Sequence, residues 1–263
     1  MKIAFIGYGN MSSALISGVM SSGKFNNSND ITIFHNKKKS EFNLEKCIFL
    51  ESGSESKDYF DIIFLCVKPK DIEKAINQNI NIFRDNQSVV SVAAGVSISS
   101  LKKIIKKNVS ITRAMPNLCA IYNESITGIC NSNESDTERK NYIEDIFRSI
   151  GHVRKINEDE MHEFTALFGS GPAYLMYFYE ALMECGNFKN ISNEDKSLLL
   201  MHLLNSTSKM LFVTKDVKKL RSTVASKGGT TEAAIESLEE KNFKKIISKA
   251  VEVAKKRSID LSG

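Results

Sequence analysis

Between Val224 and Glu240 the chain reads VASKGGTTEAAIESLEE, which sets two glycines and two threonines directly ahead of a segment with helical spacing. Glycine leaves the backbone uncovered, and a helix start presents unpaired N–H groups together with the positive end of the helix dipole. Ser226, Gly228, Gly229, Thr230 and Thr231 are therefore expected to surround a small anion such as a carboxylate, the hydroxyls adding donors. The plainer alternative is that Thr230 or Thr231 only caps the helix, worth about 1 kcal/mol, with the glycines closing the preceding one. Capping and ligation are compatible, although Glu232 in the first turn competes for the same dipole. A second stretch of the same make, GSGPAY, puts Ser170 and Gly171 ahead of Pro172, a favoured first helical residue.

The opening residues, KIAFIGYGNMSSA, carry a different chemistry. Lys2 to Ile6 reads as a strand, Gly7 and Gly9 as a tight turn, and Met11 to Met20 as a helix. That order lets bare backbone approach a pyrophosphate, with Asn10 and Met11 at the helix N-terminus, although Ser12 stands where the dinucleotide fingerprint has its third glycine. After the second strand, in ITIFHNKKKSE, an NAD-selective site would commonly carry an acid against the ribose hydroxyl. His35, Asn36, Lys37 and Lys38 stand there instead, which favours the additional phosphate of NADPH, with NADH as the alternative. VKPK (Val67 to Lys70) and VAAGVS (Val92 to Ser97) follow two further strands at their carboxyl ends, where open α/β sheets gather ligands.

The elements that must position these groups fall into two textures. Strand patterns recur at Ile31–Phe34, Ile48–Leu50, Ile62–Val67, Val89–Val92, Ser110–Thr112, near Ser125–Cys130 and near His152–Ile156, with helical patterns at Asp71–Phe83, Ser97–Ile105 and about Ser135–Ile150. Short apolar runs without polar alternation suit strands buried on both faces, so the first half is expected to be a Rossmann-like, doubly wound α/β sheet over residues 1–157. From about Glu158 only helical patterns remain, and residues 158–263 are expected to form an all-α domain.

Composition narrows the class. Among 263 residues, 42% are hydrophobic and 25% charged, enough for a substantial core, and the net charge of +5 is dispersed. That suits an enzyme with anionic ligands and argues against nucleic acid as a partner. Five scattered cysteines read as reduced thiols, and the four histidines lack metal-site spacing. No stretch approaches the roughly 20 apolar residues needed to cross a bilayer, so the expectation is a soluble cytoplasmic protein without membrane partners.

Taken in order, GYGNM, CVKP, VAAGVSI, RAMPN, GSGPAY and the Val224–Glu240 segment make the chain resemble pyrroline-5-carboxylate reductase over nearly its whole length. The resemblance implies a Rossmann domain, a helical domain that interlocks with its copy in a homodimer, and NAD(P)H-dependent reduction of the cyclic imine pyrroline-5-carboxylate to proline. It further implies that Gly7, Gly9, Asn10 and Met11 hold the pyrophosphate, and that Asn36 with Lys37 lies beside the adenosine ribose. Val67, Lys68, Pro69, Ala93, Ala94 and Gly95 would line the cofactor cleft, with Met115, Pro116 and Asn117 near the nicotinamide. Thr231 is the expected proton donor or relay, and His162 is read as structural. Three places depart from the family pattern: Phe168 stands for a serine, Lys227 for a proline, and Leu118–Cys119 for Thr-Pro. The competing readings are a two-domain hydroxyacid or ketopantoate reductase, with Lys209 or Lys227 as proton donor, and a dinucleotide-binding redox sensor without catalysis.

Overall fold

A computed structural model describes residues 1–21, 30–36, 47–132 and 136–262. The backbone packs into two compact units, one of residues 1–172 with 253–263 and the other of residues 173–252.

The first unit is built on strands β1 (Ile3–Ile6), β2 (Ile31–His35), β3 (Ile48–Glu51), β4 (Ile62–Leu65), β5 (Ser88–Ser91), β6 (Ser110–Met115), β7 (Ser125–Asn131) and β8 (Gly151–Lys155). They form one sheet in the order β3-β2-β1-β4-β5-β6-β7-β8. All pairs are parallel except β6 with β7. Only residues 116–124 join those two strands, fewer than a parallel crossover needs, so β7 turns back.

Both sheet faces are covered, which explains the unbroken apolar strands. On one face Phe5, Ile33 and Phe64 pack with Leu15 and Val19 of α1 (Asn10–Ser21) and with Ile146 and Phe147 of α4 (Thr137–Arg148). On the other, Ile6, Ile63 and Val89 pack with Ile72 and Ile76 of α2 (Ile72–Gln78) and with Leu101 and Ile105 of α3 (Ile98–Ile105). The helix expected over Asp71–Phe83 is interrupted at Asn79, which is fully buried. Its Nδ2 donates to the Ala75 carbonyl and its Oδ1 accepts from the Gly53 amide, so the side chain competes with the helical ladder.

Residues 158–172 pack with the sheet unit as α5 (Met161–Phe164) and a π-helical turn at Thr165–Gly169. The second unit is wholly helical: most of α6 (Gly171–Glu184), then α7 (Asn193–Thr214), α8 (Val217–Val224), α9 (Thr230–Glu240) and the first part of α10 (Phe243–Asp260). Ser192 caps α7 by accepting from the Asp195 amide, and Asp216 caps α8 by accepting from Lys219.

Candidate active site

Strand order reverses between β1 and β4, so their carboxyl ends diverge into a crevice. The Gly7 amide donates to the Phe34 carbonyl at 2.9 Å, and the Cys66 amide donates to the Ile6 carbonyl at 2.9 Å, pinning the turn to both neighbouring strands. Gly7 has φ +92°, and a Cβ there would lie 2.6 Å from Val67 Cγ1 and 2.8 Å from the Cys66 carbonyl oxygen. Only glycine fits that position. At Gly9 an added Cβ would meet nothing within 4 Å, so its bareness faces open space.

Ser12, at the place of the absent third glycine, is fully buried. Its Oγ accepts from the Gly9 amide at 2.8 Å and donates to the Gly9 carbonyl at 3.1 Å, tying the helix start to the turn in the manner of a capping box. The Tyr8 amide donates to His35 Nδ1 at 3.3 Å, linking the turn to the end of β2.

A cleft of about 840 Å³ opens here. Gly7, Gly9, Asn10, Met11, Asn36, Val67, Lys68, Pro69, Ala93, Ala94, Met115, Pro116 and Asn117 all line it. Gly95 turns the other way: at φ +78° its missing Cβ faces Leu261 Cβ at 3.1 Å and the Ser258 carbonyl oxygen at 3.2 Å. Lys37 falls outside the described residues. The wall also contains Asp71, Lys74, Ala75 and Gln78, none of which belongs to a sequence motif named above. Their spacing of 0, 3, 4 and 7 marks one helical face, a pattern visible in the sequence. Cys66 lies in the wall too, where burial pushes its thiol well above the ordinary range and leaves it a poor nucleophile.

The anion-binding candidates lie in both units. In the first, the Ser170 amide donates to the Thr165 carbonyl at 3.0 Å and Ser170 Oγ to the same oxygen at 3.4 Å, while Gly171 opens α6. In the second, the Gly229 amide closes a turn onto the Ser226 carbonyl at 3.0 Å, with Gly228 at φ +73°. This is the type II pattern, which favours proline at the position held by Lys227, so the turn keeps the shape that proline would preset. Gly229, not a threonine, is the N-cap of α9, and it supplies no side-chain cap. Among the described residues the amides of Thr230, Thr231 and Glu232 therefore head α9 without a side-chain cap. The Glu232 carboxylate instead reaches back to the Gly228 amide at 2.6 Å.

His162 stands on α5, half-buried, with Nδ1 3.0 Å from Ser258 Oγ. Burial and the neighbouring Arg113 charge hold its pKa below the usual histidine value. Arg113 itself is buried and donates to Glu158 Oε1 at 2.8 Å, an oxygen that also accepts from the Ile98 amide. Among the described residues no group of three or more His, Cys, Asp or Glu side chains is placed to hold a metal.

The sequence compares in full with known proteins. Residues 158–261 match the family model for pyrroline-5-carboxylate reductase dimerisation, and residues 2–95 match that for NADP oxidoreductase coenzyme F420-dependent. The pyrroline-5-carboxylate reductase of Staphylococcus aureus is 32% identical over 272 residues, spanning 100% of this chain and 98% of its own. This chain belongs to the pyrroline-5-carboxylate reductase family. Among solved structures, Plasmodium falciparum pyrroline carboxylate reductase with NADP bound superposes with a TM-score of 0.89 at 27% identity, covering 100% and 98% of the two chains. A pyrroline-5-carboxylate reductase from Coxiella burnetii gives 0.87 at 32% identity with the same coverage.

Within this reductase the departures from the family pattern have defined settings. Phe168 tilts against Phe164 with ring centroids 4.8 Å apart, Leu118 is exposed at the cleft wall, and Lys227 is exposed on its turn.

Proposed function

We propose that this protein reduces 1-pyrroline-5-carboxylate to L-proline, the last step of proline biosynthesis, with NADPH preferred over NADH. The observation that carries the reading is a glycine-capped helix start with uncapped amides, in a chain whose sheet unit holds a dinucleotide-type cleft at its switch point. The cleft fits the cofactor: Gly7 leaves no room for a side chain, Gly9 leaves the backbone open, and α1 begins at Asn10 to receive a pyrophosphate. Two lysines, Lys68 and Lys74, face one aspartate, Asp71, along the lining, a balance suited to a phosphate-rich ligand.

A bound reduced nicotinamide supplies hydride to the imine carbon. The chain's own part is to hold the substrate and deliver a proton to the ring nitrogen. Thr230 and Thr231 amides would bind the carboxylate, with the α9 dipole adding about 0.3–1 kcal/mol. Thr231 Oγ1, or a water bonded to it, would donate the proton. Catalysis then rests on placement and electrostatics, with no strongly shifted acid required.

In this reading residues 1–157 carry the cofactor and residues 158–263 the substrate site and the dimer contact. The helical unit supports a homodimer on physical grounds. Leu175, Met176, Tyr177, Phe212 and Val213 on α6 and α7 are each more than half exposed, and no residue of either helix is buried in the single chain. Monomers rarely leave so many large apolar side chains of two helices in water. A cytoplasmic setting agrees with five unpaired cysteines, and no described helix is long and apolar enough to cross a membrane. The hydroxyacid and ketopantoate alternative is not favoured, because reductases of the cyclic imine match along the whole chain.

The test is oxidation of NADPH and of NADH by purified protein, with the cyclic imine, ketopantoate and a 3-oxo acid, the oxidised partner of a 3-hydroxy acid, compared. Turnover with the imine alone, faster with NADPH, is expected; turnover only with another substrate would overturn the assignment.

A further inference from the structure

Asn117 lines the cleft, yet its carboxamide is committed elsewhere. Nδ2 donates to the Phe168 carbonyl at 3.0 Å, and Oδ1 accepts from the Cys119 amide at 3.2 Å. The orientation is unambiguous, because exchanging the two ends would set acceptor against acceptor and donor against donor. The residue is 6% exposed, and its own amide donates to Ser125 Oγ at 3.1 Å, which fixes the backbone beneath it.

The Phe168 carbonyl needs such a donor. It lies in the π-helical turn Thr165–Gly169 that leads into α6. Four residues on, where an α-helix would supply its N–H, stands Pro172, which has none. A carbonyl left unpaired in a half-buried turn would cost free energy, and the Asn117 carboxamide removes that cost. The consequence reaches the cleft through the next residue. Gly169 is part of the cleft wall, and a Cβ on it would lie 2.9 Å from Met115 Cε. The Met115 side chain and the Gly169 backbone thus meet at van der Waals limits, and the carbonyl just before Gly169 is held by Asn117.

We propose that Asn117 is a positioning residue for hydride transfer. It acts through the Phe168 carbonyl to set the Gly169–Ser170 backbone against Met115, and does not itself ligate the cofactor. The proposal rests on the imine-reductase reading for its kinetic consequence, and on the geometry alone for its structural one.

Asn117→Asp tests it, since the variant keeps the oxygen that accepts from Cys119 but, when ionised, cannot donate to Phe168. At pH 8 we expect kcat for the imine to fall about tenfold, as a displacement well under 1 Å would do. The dissociation constant for NADPH should stay within about twofold of wild type. As pH drops through the titration of the introduced carboxyl, its protonated form regains a donor, so the deficit relative to wild type should shrink, whereas Asn117→Ala should show no such recovery. Independently of any cofactor, amide exchange across residues 165–171 should quicken in both variants. Wild-type exchange together with wild-type kcat in Asn117→Asp would overturn the proposal, and so would a loss confined to NADPH affinity, the mark of a ligand. If wild-type protein fails to reduce the imine while exchange still quickens in the variants, the functional reading falls and the positioning role stands. Should Asn117→Ala not fold, Asn117→Asp carries the test alone.

Discussion

Alanine at Gly7 and alanine at Gly9 should fail in different ways, although the two residues are separated only by Tyr8. At Gly7 the backbone is at φ +92°, which costs a non-glycine residue about 1–2 kcal/mol. The new methyl would also sit 2.8 Å from the carbonyl oxygen of Cys66, a residue whose amide is tied to the Ile6 carbonyl. Relieving that overlap costs about 1–3 kcal/mol more. Together these give about 2–5 kcal/mol, and for a unit of this size each kcal/mol lowers the melting temperature by about 2–4 °C. Gly7→Ala should therefore melt about 10 °C early even without cofactor. At Gly9 nothing lies within 4 Å of the added methyl, and the residue serves as N-cap of α1, receiving the Ser13 amide. Alanine there costs at most about 1 kcal/mol of stability. In the proposed cofactor site the methyl would, however, occupy the surface offered to a pyrophosphate, an overlap of about 1–3 kcal/mol, or about 5- to 150-fold in the dissociation constant for NADPH. Thermal melts and fluorescence titration with NADPH measure both quantities. Equal destabilisation at the two positions, or wild-type affinity in Gly9→Ala, would refute the reasoning.

Three further outcomes are expected. Thr231→Ala should lower imine turnover at least about tenfold, a loss of about 1.4 kcal/mol of transition-state stabilisation, with NADPH affinity little changed; unaltered turnover would remove the hydroxyl from the mechanism. Lys227→Pro should raise stability by about 0.4–1 kcal/mol, because the Ser226–Gly229 turn already has the form proline prefers; a rise in KM would show that the lysine charge contributes to holding the substrate. His162 has a folded-state pKa below its ordinary 6.5, from burial first and then from Arg113, with Glu158 opposing and Lys255 adding to the shift. The unfolded chain then binds that proton at higher pH, so this contribution to stability is present above about 6.5 and is lost as pH falls toward the lower folded value. Melting curves of wild type and His162→Gln between pH 5 and 8 should diverge on the acid side, wild type losing more.

What the sequence disclosed, and what it did not, follows from the range of the contacts involved. Strand and helix positions were legible because alternation and helical spacing act over a few residues, and the Gly7–Gly9 turn was legible because it sits between a strand and a helix. The cleft face of α2 and its N-cap was equally legible through Asp71, Lys74, Ala75 and Gln78, but only with the fold in hand does that face acquire a purpose. Other features depend on partners far along the chain. Gly95 reads as a cofactor-loop glycine, yet it packs against Leu261, and the segments 158–172 and 253–262 join the sheet unit. Nothing in the local pattern of MPN tells that Asn117 will spend its side chain on a carbonyl 51 residues away. Ser12 reads as a defect in the glycine fingerprint, whereas its hydroxyl replaces the lost glycine with two hydrogen bonds to Gly9.

The most direct measurement is a crystal structure of the protein with NADPH and a substrate analogue bearing the carboxylate. The carboxylate should lie within hydrogen-bond reach of the Thr230 and Thr231 amides, and the analogue's imine-equivalent carbon about 3–3.5 Å from nicotinamide C4. A carboxylate held by other groups, with the start of α9 turned away from it, would contradict the assigned substrate site.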